Sequence, residues 1–224
     1  MNIASHNGHI NVLEWWQNSR LPLKYDRCAI HSALANNHKH VLVWWKNSGL
    51  PLKYCKNTIL LNALNVDILN WLVSSGLSLE YSDDDISNAL INASTNGRID
   101  ILQWWKDSGF TLTCSPIALQ EASNRGHIHV LQWWKDSGIP LEYNNTVLSH
   151  VSQVEVLNWW LNSGLPLKYS WEALRTASMF ARIDILQWWK DSGLPLNVPK
   201  NILDISFCSN RTIVQKWWAD SGLL

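Results

Sequence analysis

One short segment recurs along this chain of 224 residues. In its clearest copy, residues 126–141, a glycine precedes an apolar stretch that contains two adjacent tryptophans, a Ser-Gly pair and Ile-Pro-Leu. The tryptophan pair stands at 15/16, 44/45, 104/105, 133/134, 159/160, 188/189 and 217/218, and Trp71-Leu72 is a degenerate copy. The spacings of 29, 27, 33, 29, 26, 29 and 29 residues are typical of stacked small repeats. Such a stack favours binding over catalysis in a globular core.

Each repeat carries the signals of two helices separated by a tight turn. All ten glycines occupy two positions, and seven of them follow a serine just beyond a stretch with helical periodicity. A helix C-terminus favours a left-handed residue there, which glycine supplies without strain. The other three glycines, Gly8, Gly97 and Gly126, precede the first tryptophan by seven residues and mark the turn between the helices. Leu-Pro-Leu then forbids helix continuation.

The repeat resembles an ankyrin repeat. Residues 8–16, Gly-His-Ile-Asn-Val-Leu-Glu-Trp-Trp, are similar to the family's G-H-x-x-V-V-x-L-L pattern, and Ile30-His31-x-Ala33-Leu34 resembles its L-H-x-A-A. The usual spacing of 29 is shorter than the 33 or so of ankyrin, and the missing residues fall where that family places its β-hairpin finger. The resemblance implies an all-α fold, an α-solenoid of about seven and a half stacked ankyrin-like helix-turn-helix repeats with short or absent fingers.

A single repeat domain is expected over residues 1–224, with repeats at 1–23, 24–52, 53–79, 80–112, 113–141, 142–167, 168–196 and 197–224. In two shorter repeats, segments 55–76 and 144–164 are expected to lack residues of the inter-helix turn. A longer repeat carries Ser82-Asp83-Asp84-Asp85 before a helix, where aspartates suit the N-terminus. Neither end shows the polar outer face of a capping repeat, which favours membership of a longer array.

The charges balance, with 18 Lys+Arg and 18 Asp+Glu, so no global field attracts nucleic acid or an anionic membrane. No apolar run approaches the 18 or so residues of a membrane span, and the N-terminus has no signal-peptide pattern. The four cysteines form no C-x-x-C pair, which indicates reduced thiols in an intracellular protein, cytoplasmic or nuclear. We expect a monomer.

No catalytic, metal or cofactor site is predicted. The chain has no phosphate-binding glycine loop, no G-x-S-x-G and no H-E-x-x-H motif. His38 and His40, like His127 and His129, are two residues apart. On a helix this spacing points the two rings to different sides, which disfavours a shared metal ion.

Fifteen of the 16 tryptophans lie in the paired positions, where ankyrin repeats bury leucine. We therefore expect both members of each pair to form the inter-repeat core, and an aromatic platform for bases, sugars or peptides is the alternative. Full burial of one tryptophan stabilises by about 4–6 kcal/mol at most. Trp133→Ala or Trp134→Ala is expected to lower stability by several kcal/mol. Each tyrosine after Leu-Pro-Leu is expected to pack over the loop with its hydroxyl in water.

The residues that break the repeat are candidates for partner recognition. In ankyrin arrays the finger tip and the exposed end of the first helix line a concave binding face. By repeat register these positions hold Arg27, Ala35 and Asn36; Ser87, Thr95 and Asn96; Pro116, Asn124 and Arg125; and Trp171, Met179 and Phe180. Trp171, Met179 and Phe180 either form an exposed apolar patch that anchors a partner, or are partly buried by rotation of the first helix.

These observations predict a non-catalytic scaffold that presents a concave solenoid surface to another protein. One alternative is a helical-repeat nucleic-acid binder, which requires a basic face. A second is a recruitment module of a larger enzyme. A third is an enzyme with its site in the irregular segments near 55–64 or 144–152, which requires a deep pocket.

Overall fold

A computed structural model describes residues 1–56, 65–199, 202 and 211–224 of the chain. These residues form thirteen α-helices and no named strand, so the predicted all-helical class is confirmed for them. The helices are α1 Asn2–His6, α2 Ile10–Asn18, α3 Cys28–Ala35, α4 Lys39–Asn47, α5 Val66–Ser74, α6 Asp83–Thr95, α7 Ile99–Asp107, α8 Pro116–Asn124, α9 Ile128–Asp136, α10 Val154–Asn162, α11 Glu172–Met179, α12 Ile183–Asp191 and α13 Arg211–Ser221.

The described residues form two compact units. The first comprises Met1–Ala93 and Asp100–Leu112, and the second comprises Ser94–Ile99 and Thr113–Leu224. In the second unit an isolated parallel bridge pairs Cys114 with Leu141, at the place where a β-hairpin finger was expected to be short or absent.

A left-handed residue forms the turn between the two helices of a repeat. Gly8, Gly97 and Gly126 have φ angles of 75°, 69° and 78°, as their spacing predicts. At the equivalent positions Asn37 and Ala181 adopt φ angles of 58° and 50°. The residue after the turn donates its N–H to a carbonyl five residues earlier, for example from position 127 to 122 over 2.9 Å. This Schellman arrangement ends the first helix and aims the chain into the second.

A serine ends each second helix. The Ser137 hydroxyl donates to the Trp134 carbonyl over 2.7 Å and accepts the Ile139 N–H over 3.1 Å. Gly138 follows with a φ angle of 77°, so the Ser-Gly signal in the sequence is a helix C-cap. Arg20 replaces the glycine in the first repeat and is held at a φ angle of 59°.

The repeat at 142–167 departs from the predicted helix pair. Residues 145–150 form a run of turns, and 151–153 lead into α10 without a left-handed turn residue. Tyr143 precedes Ser149 by six residues, whereas Tyr169 precedes Ser178 by nine, so the first helix is too short to form. The inter-helix turn is missing from this repeat as expected, and the first helix is missing as well. The other short segment, 55–76, includes residues 57–64, which lie outside the described part of the chain.

Burial separates the two tryptophans of each pair. We call the second member the stacking tryptophan and the first the outer tryptophan. Six stacking tryptophans are at most 1% exposed, namely Trp45, Trp105, Trp134, Trp160, Trp189 and Trp218. The outer tryptophans are half-buried, except Trp15, which is 59% exposed. The prediction that both members form the core is thus correct for these six stacking tryptophans and wrong for the outer ones and for Trp16, which is half-buried. A nine-residue helix has one buried stripe, which holds only one of two adjacent side chains.

Candidate interaction surface

Stacking tryptophans bind a serine in the preceding repeat. Trp134 Nε1 donates to Ser94 Oγ over 2.9 Å, and Trp160 Nε1 donates to Ser123 Oγ over 2.9 Å. Ser94 and Ser123 lie three residues before the turn glycine, are at most 1% exposed, and belong with their tryptophans to the second compact unit. The same bond joins Trp45 to Ser5 in the first compact unit. Each bond satisfies two buried polar groups, and neither group is free to bind a partner.

The serine and the tryptophan are replaced together at one place in the first compact unit. Leu72 occupies the stacking position of its repeat and is fully buried. Leu34 occupies the corresponding serine position of the preceding repeat, three residues before the turn residue Asn37, and is 1% exposed. An indole without a hydroxyl partner, or the reverse, would leave a buried polar group unpaired. The joint replacement removes both polar groups.

One expected serine–tryptophan bond is missing in the second compact unit. Ser149 and Trp189 occupy the equivalent positions, yet Ser149 Oγ and Trp189 Nε1 are buried without a hydrogen-bond partner. The shortened segment between Tyr143 and Ser149 explains the mismatch, because the serine no longer stands on a regular helix.

Outer tryptophans bind an amide in the preceding repeat. Trp159 Nε1 donates to Gln132 Oε1 over 2.9 Å, and Gln132 Nε2 donates onward to Asp136 Oδ2 over 2.7 Å. Trp217 binds Gln187 in the same way, and Trp104 and Trp188 use Asn70 and Asn158. These four outer tryptophans therefore help to hold adjacent repeats together, although part of each ring reaches the surface.

Tyrosines bind backbone carbonyls near the end of their own repeat, and histidines bind backbone carbonyls of the preceding repeat. The Tyr143 hydroxyl donates to the Pro166 carbonyl over 2.8 Å, while its ring lies 5.1 Å from that of Trp160. Tyr25, Tyr54 and Tyr169 make the same kind of bond, so the prediction that these hydroxyls point into water is wrong. His127 Nε2 lies 3.1 Å from the Thr95 carbonyl oxygen, and His129 Nε2 lies 2.9 Å from that of Gly97.

The histidine pairs do not diverge as their spacing suggests. The rings of His127 and His129 are 5.6 Å apart in an edge-to-face contact, because His127 is the N-cap of α9 and only His129 lies within the helix. His38 and His40 repeat the arrangement at 5.5 Å. Their contacts to the preceding turn give both pairs a structural role. Among the described residues no group of three or more His, Cys, Asp or Glu could hold a metal ion.

In the first compact unit the predicted partner residues are Arg27 and Asn36. Both are exposed, and they lie at opposite ends of α3, as its N-cap and C-cap. Arg27 Nη1 donates to Cys55 Sγ over 3.4 Å, and the Asn36 amide nitrogen donates to the Ser32 carbonyl over 2.8 Å. Both side chains therefore make local contacts and still reach solvent.

In the second compact unit Asn96 and Arg125 are exposed at the ends of their first helices. Arg125 forms an ion pair with Glu121 one turn earlier, at 3.6 Å. Asn124 is half-buried, and its Oδ1 is buried without a partner in the described structure. Of these three side chains, Asn96 and Arg125 are presented to solvent.

Trp171, Met179 and Phe180 do not form one patch. Trp171 is the N-cap of α11 and Phe180 is its C-cap, about 13 Å apart along the helix axis. Trp171 is 36% exposed beside a small cleft against Pro195, whereas Phe180 is 68% exposed and Met179 is half-buried. In the second compact unit the structure therefore presents Phe180 as the most exposed apolar side chain at the end of a first helix.

A second exposed apolar surface was not predicted from the sequence. We define the N-terminal face by the residues Met1, Ile3, Val12, Trp15, Trp16 and Leu21. Ile3 is 78% exposed, Trp15 59% and Leu21 48%, and two concavities of about 440 and 520 Å³ lie against Met1 and Trp16. The sequence carried a signal for this surface, because Trp15 and Trp16 are its first tryptophan pair and later pairs bind the repeat before them.

Two buried or half-buried groups of the described chain, Cys114 and His31, have shifted pKa values. Burial raises the pKa of the Cys114 thiol to about 12, which makes it a poor nucleophile. Burial lowers the pKa of His31, with a smaller contribution from Arg27, and His31 Nε2 accepts the Cys55 N–H over 3.1 Å. These shifts belong to packing between repeats.

The chain matches none of the protein-family models or curated proteins with which it was compared. Within the described part of the chain, every helix is too short or too polar to cross a membrane.

Proposed function

We propose that this chain is a non-catalytic interaction scaffold, an ankyrin-like α-solenoid that presents the ends of its first helices to another protein. The observation that carries the proposal is the division between shared and variable residues. Shared Trp, Ser and Gln side chains form hydrogen bonds between repeats, and shared Tyr side chains form hydrogen bonds within a repeat. The exposed first-helix ends instead carry residues of different chemistry, among them Asn36, Arg125 and Phe180.

Phe180 is the expected anchor of this surface. It is 68% exposed at a position that holds asparagine or arginine in several other repeats, beside the half-buried Met179. An apolar side chain that enters a pocket of a partner gains far more than a flanking polar contact. The surrounding Asn and Arg side chains would set specificity through hydrogen bonds.

The lysines support a protein partner over nucleic acid. Lys53 and Lys168 donate to the Tyr25 and Tyr143 carbonyls over 3.1 and 2.9 Å, and they lie 4.5 and 4.9 Å from the centroids of those rings. Lys46 donates to the Ser75 carbonyl at a helix C-terminus. Ammonium groups that are already held by backbone carbonyls are less available to neutralise phosphates.

The test compares two matched variants. Phe180→Asn introduces the residue found at equivalent positions, and Val73→Asn removes an apolar side chain of similar exposure, 58%, from α5 in the other compact unit. The full chain and both variants are used for affinity capture, and captured proteins are identified by mass spectrometry and titrated in purified form. We expect one protein whose Kd rises at least about tenfold with Phe180→Asn and stays unchanged with Val73→Asn. Equal binding by all three chains would contradict the proposed surface.

A further inference from the structure

Three side-chain groups on the N-terminal face or on the concavity beside it, which His9 lines, have no hydrogen-bond partner. Among the described residues, none accepts from Trp15 Nε1 or Trp16 Nε1, and none pairs with the His9 ring. These are the same three groups that bind the preceding repeat elsewhere: the outer tryptophan, the stacking tryptophan and the histidine after the turn. Trp16 is only half-buried, whereas its equivalent Trp45 is 1% exposed.

The interior repeats show what covers such a face. The helix pair α8–α9 covers Trp159 and Trp160 in the second compact unit, offering Gln132 Oε1 to one indole and Ser123 Oγ to the other. The end of α6 and its turn offer the Thr95 carbonyl to His127. The complement of the N-terminal face is therefore a specific set of acceptors, not an apolar surface alone: a serine hydroxyl, a side-chain amide and a turn carbonyl.

A second copy of this chain does not supply that set. In the repeat that contains α13, Lys216 occupies the position of the accepting amides, and an ammonium group has no lone pair to offer Trp15. If two N-terminal faces packed against each other, the indole N–H groups of one face would meet those of the other and find no acceptor. Both arrangements leave polar groups unpaired on desolvation.

We propose that the N-terminal face docks a further helix pair of the same repeat class, with serine and glutamine or asparagine at the positions of Ser123 and Gln132. This proposal rests on the proposed function, because it names a kind of partner that such a scaffold takes. Docking would cover Ile3 and Leu21 and fill the concavities beside Met1 and Trp16. It would also give Trp15, Trp16 and His9 the acceptors they lack.

The test supplies such a helix pair in the correct register. A copy of residues 80–118 is added directly before Met1 of the full chain, which places the added Trp104 29 residues before Trp15, the usual spacing. The added Ser94 and Gln103 then stand opposite Trp16 and Trp15. Hydrogen exchange at the indole Nε1 groups is followed by NMR, with and without the added segment. We expect exchange at Trp16 to slow at least about tenfold.

The matched control carries Ser94→Ala and Gln103→Ala in the added copy only. It keeps both helices but removes both acceptors, so most of the protection at Trp16 should be lost. Unchanged exchange at Trp16 beside an added segment that is helical by circular dichroism would overturn the proposal. Concentration-dependent dimers of the unextended chain that disappear with Trp16→Ala would also overturn it, in favour of a second copy. Neither result depends on Phe180, so a failure here is distinguishable from a failure of the proposed function.

Discussion

The bond between Trp134 and Ser94 allows a quantitative prediction. Both residues are 0% exposed, and the indole nitrogen reaches the hydroxyl oxygen over 2.9 Å. Ser94→Ala removes the acceptor and leaves a buried N–H that water cannot reach. An unpaired buried donor costs about 1–3 kcal/mol, so we expect the free energy of unfolding to fall by about 2 kcal/mol. For a chain of this length the thermal midpoint should fall by about 4–8 °C.

A double-mutant cycle isolates the bond. In the Trp134→Phe background the indole N–H is absent, and Ser94→Ala then removes a hydroxyl that has itself lost its partner. Its effect should lie near zero or be slightly stabilising, which gives a coupling energy of about 2 kcal/mol. Unfolding in urea is followed by circular dichroism, and equal m-values confirm that the same amount of structure unfolds in each variant.

A control variant measures how much the replacement of a serine by alanine changes stability when no bond between repeats is lost. Ser74→Ala changes an exposed serine of α5 whose hydroxyl binds only its own helix, and it should alter stability by less than about 0.5 kcal/mol. If Ser94→Ala lowers stability equally in the native and Trp134→Phe backgrounds, the hydrogen bond contributes nothing and the argument fails.

Three further predictions follow from single residues. Trp134→Ala should cost about 3–5 kcal/mol and the half-buried Trp133→Ala clearly less in urea unfolding; equal losses would contradict the assignment of one stacking tryptophan per pair. Ala181→Gly should raise stability by about 1 kcal/mol, because the left-handed φ angle of 50° strains an alanine; no gain in the thermal midpoint would dismiss that strain. The pKa of His31 is lowered in the folded chain, so its stability contribution is present above its unfolded pKa, about 6.5, and is lost as pH falls from that value through the lower folded pKa. Stability measured at pH 7.5 and at about pH 5.5 should therefore differ less in His31→Gln than in the native chain.

The repeat spacing predicted the helix boundaries well, because each end is fixed by a local signal. The left-handed turn at Gly126 and the Ser137-Gly138 cap need only their own few residues. The spacing did not predict which tryptophan is buried. Trp133 and Trp134 are equally apolar, and only the direction of the neighbouring repeat decides between them.

Long-range contacts account for the other differences. The bond from Tyr143 to the Pro166 carbonyl spans 23 residues, and no local pattern predicts it. The run of turns at 145–150 replaces a first helix. The spacing between Trp pairs shows that this repeat is shorter, but it does not show which element is lost. Of the predicted partner residues, the structure places Phe180 and Arg125 in solvent, because a helix C-cap points away from the packed stripe.

The replacement of a serine by Leu34 and of a stacking tryptophan by Leu72 affects the register in which the repeats stack. Repeats of similar sequence can stack out of step, since stacking tryptophans bind a serine at the same position in several repeats. A slip by one repeat would place an indole against Leu34 and a serine against Leu72, and each mismatch would bury an unpaired polar group at about 1–3 kcal/mol. Leu34 and Leu72 therefore disfavour such a slip, because only an apolar neighbour packs against either of them without burying an unpaired polar group.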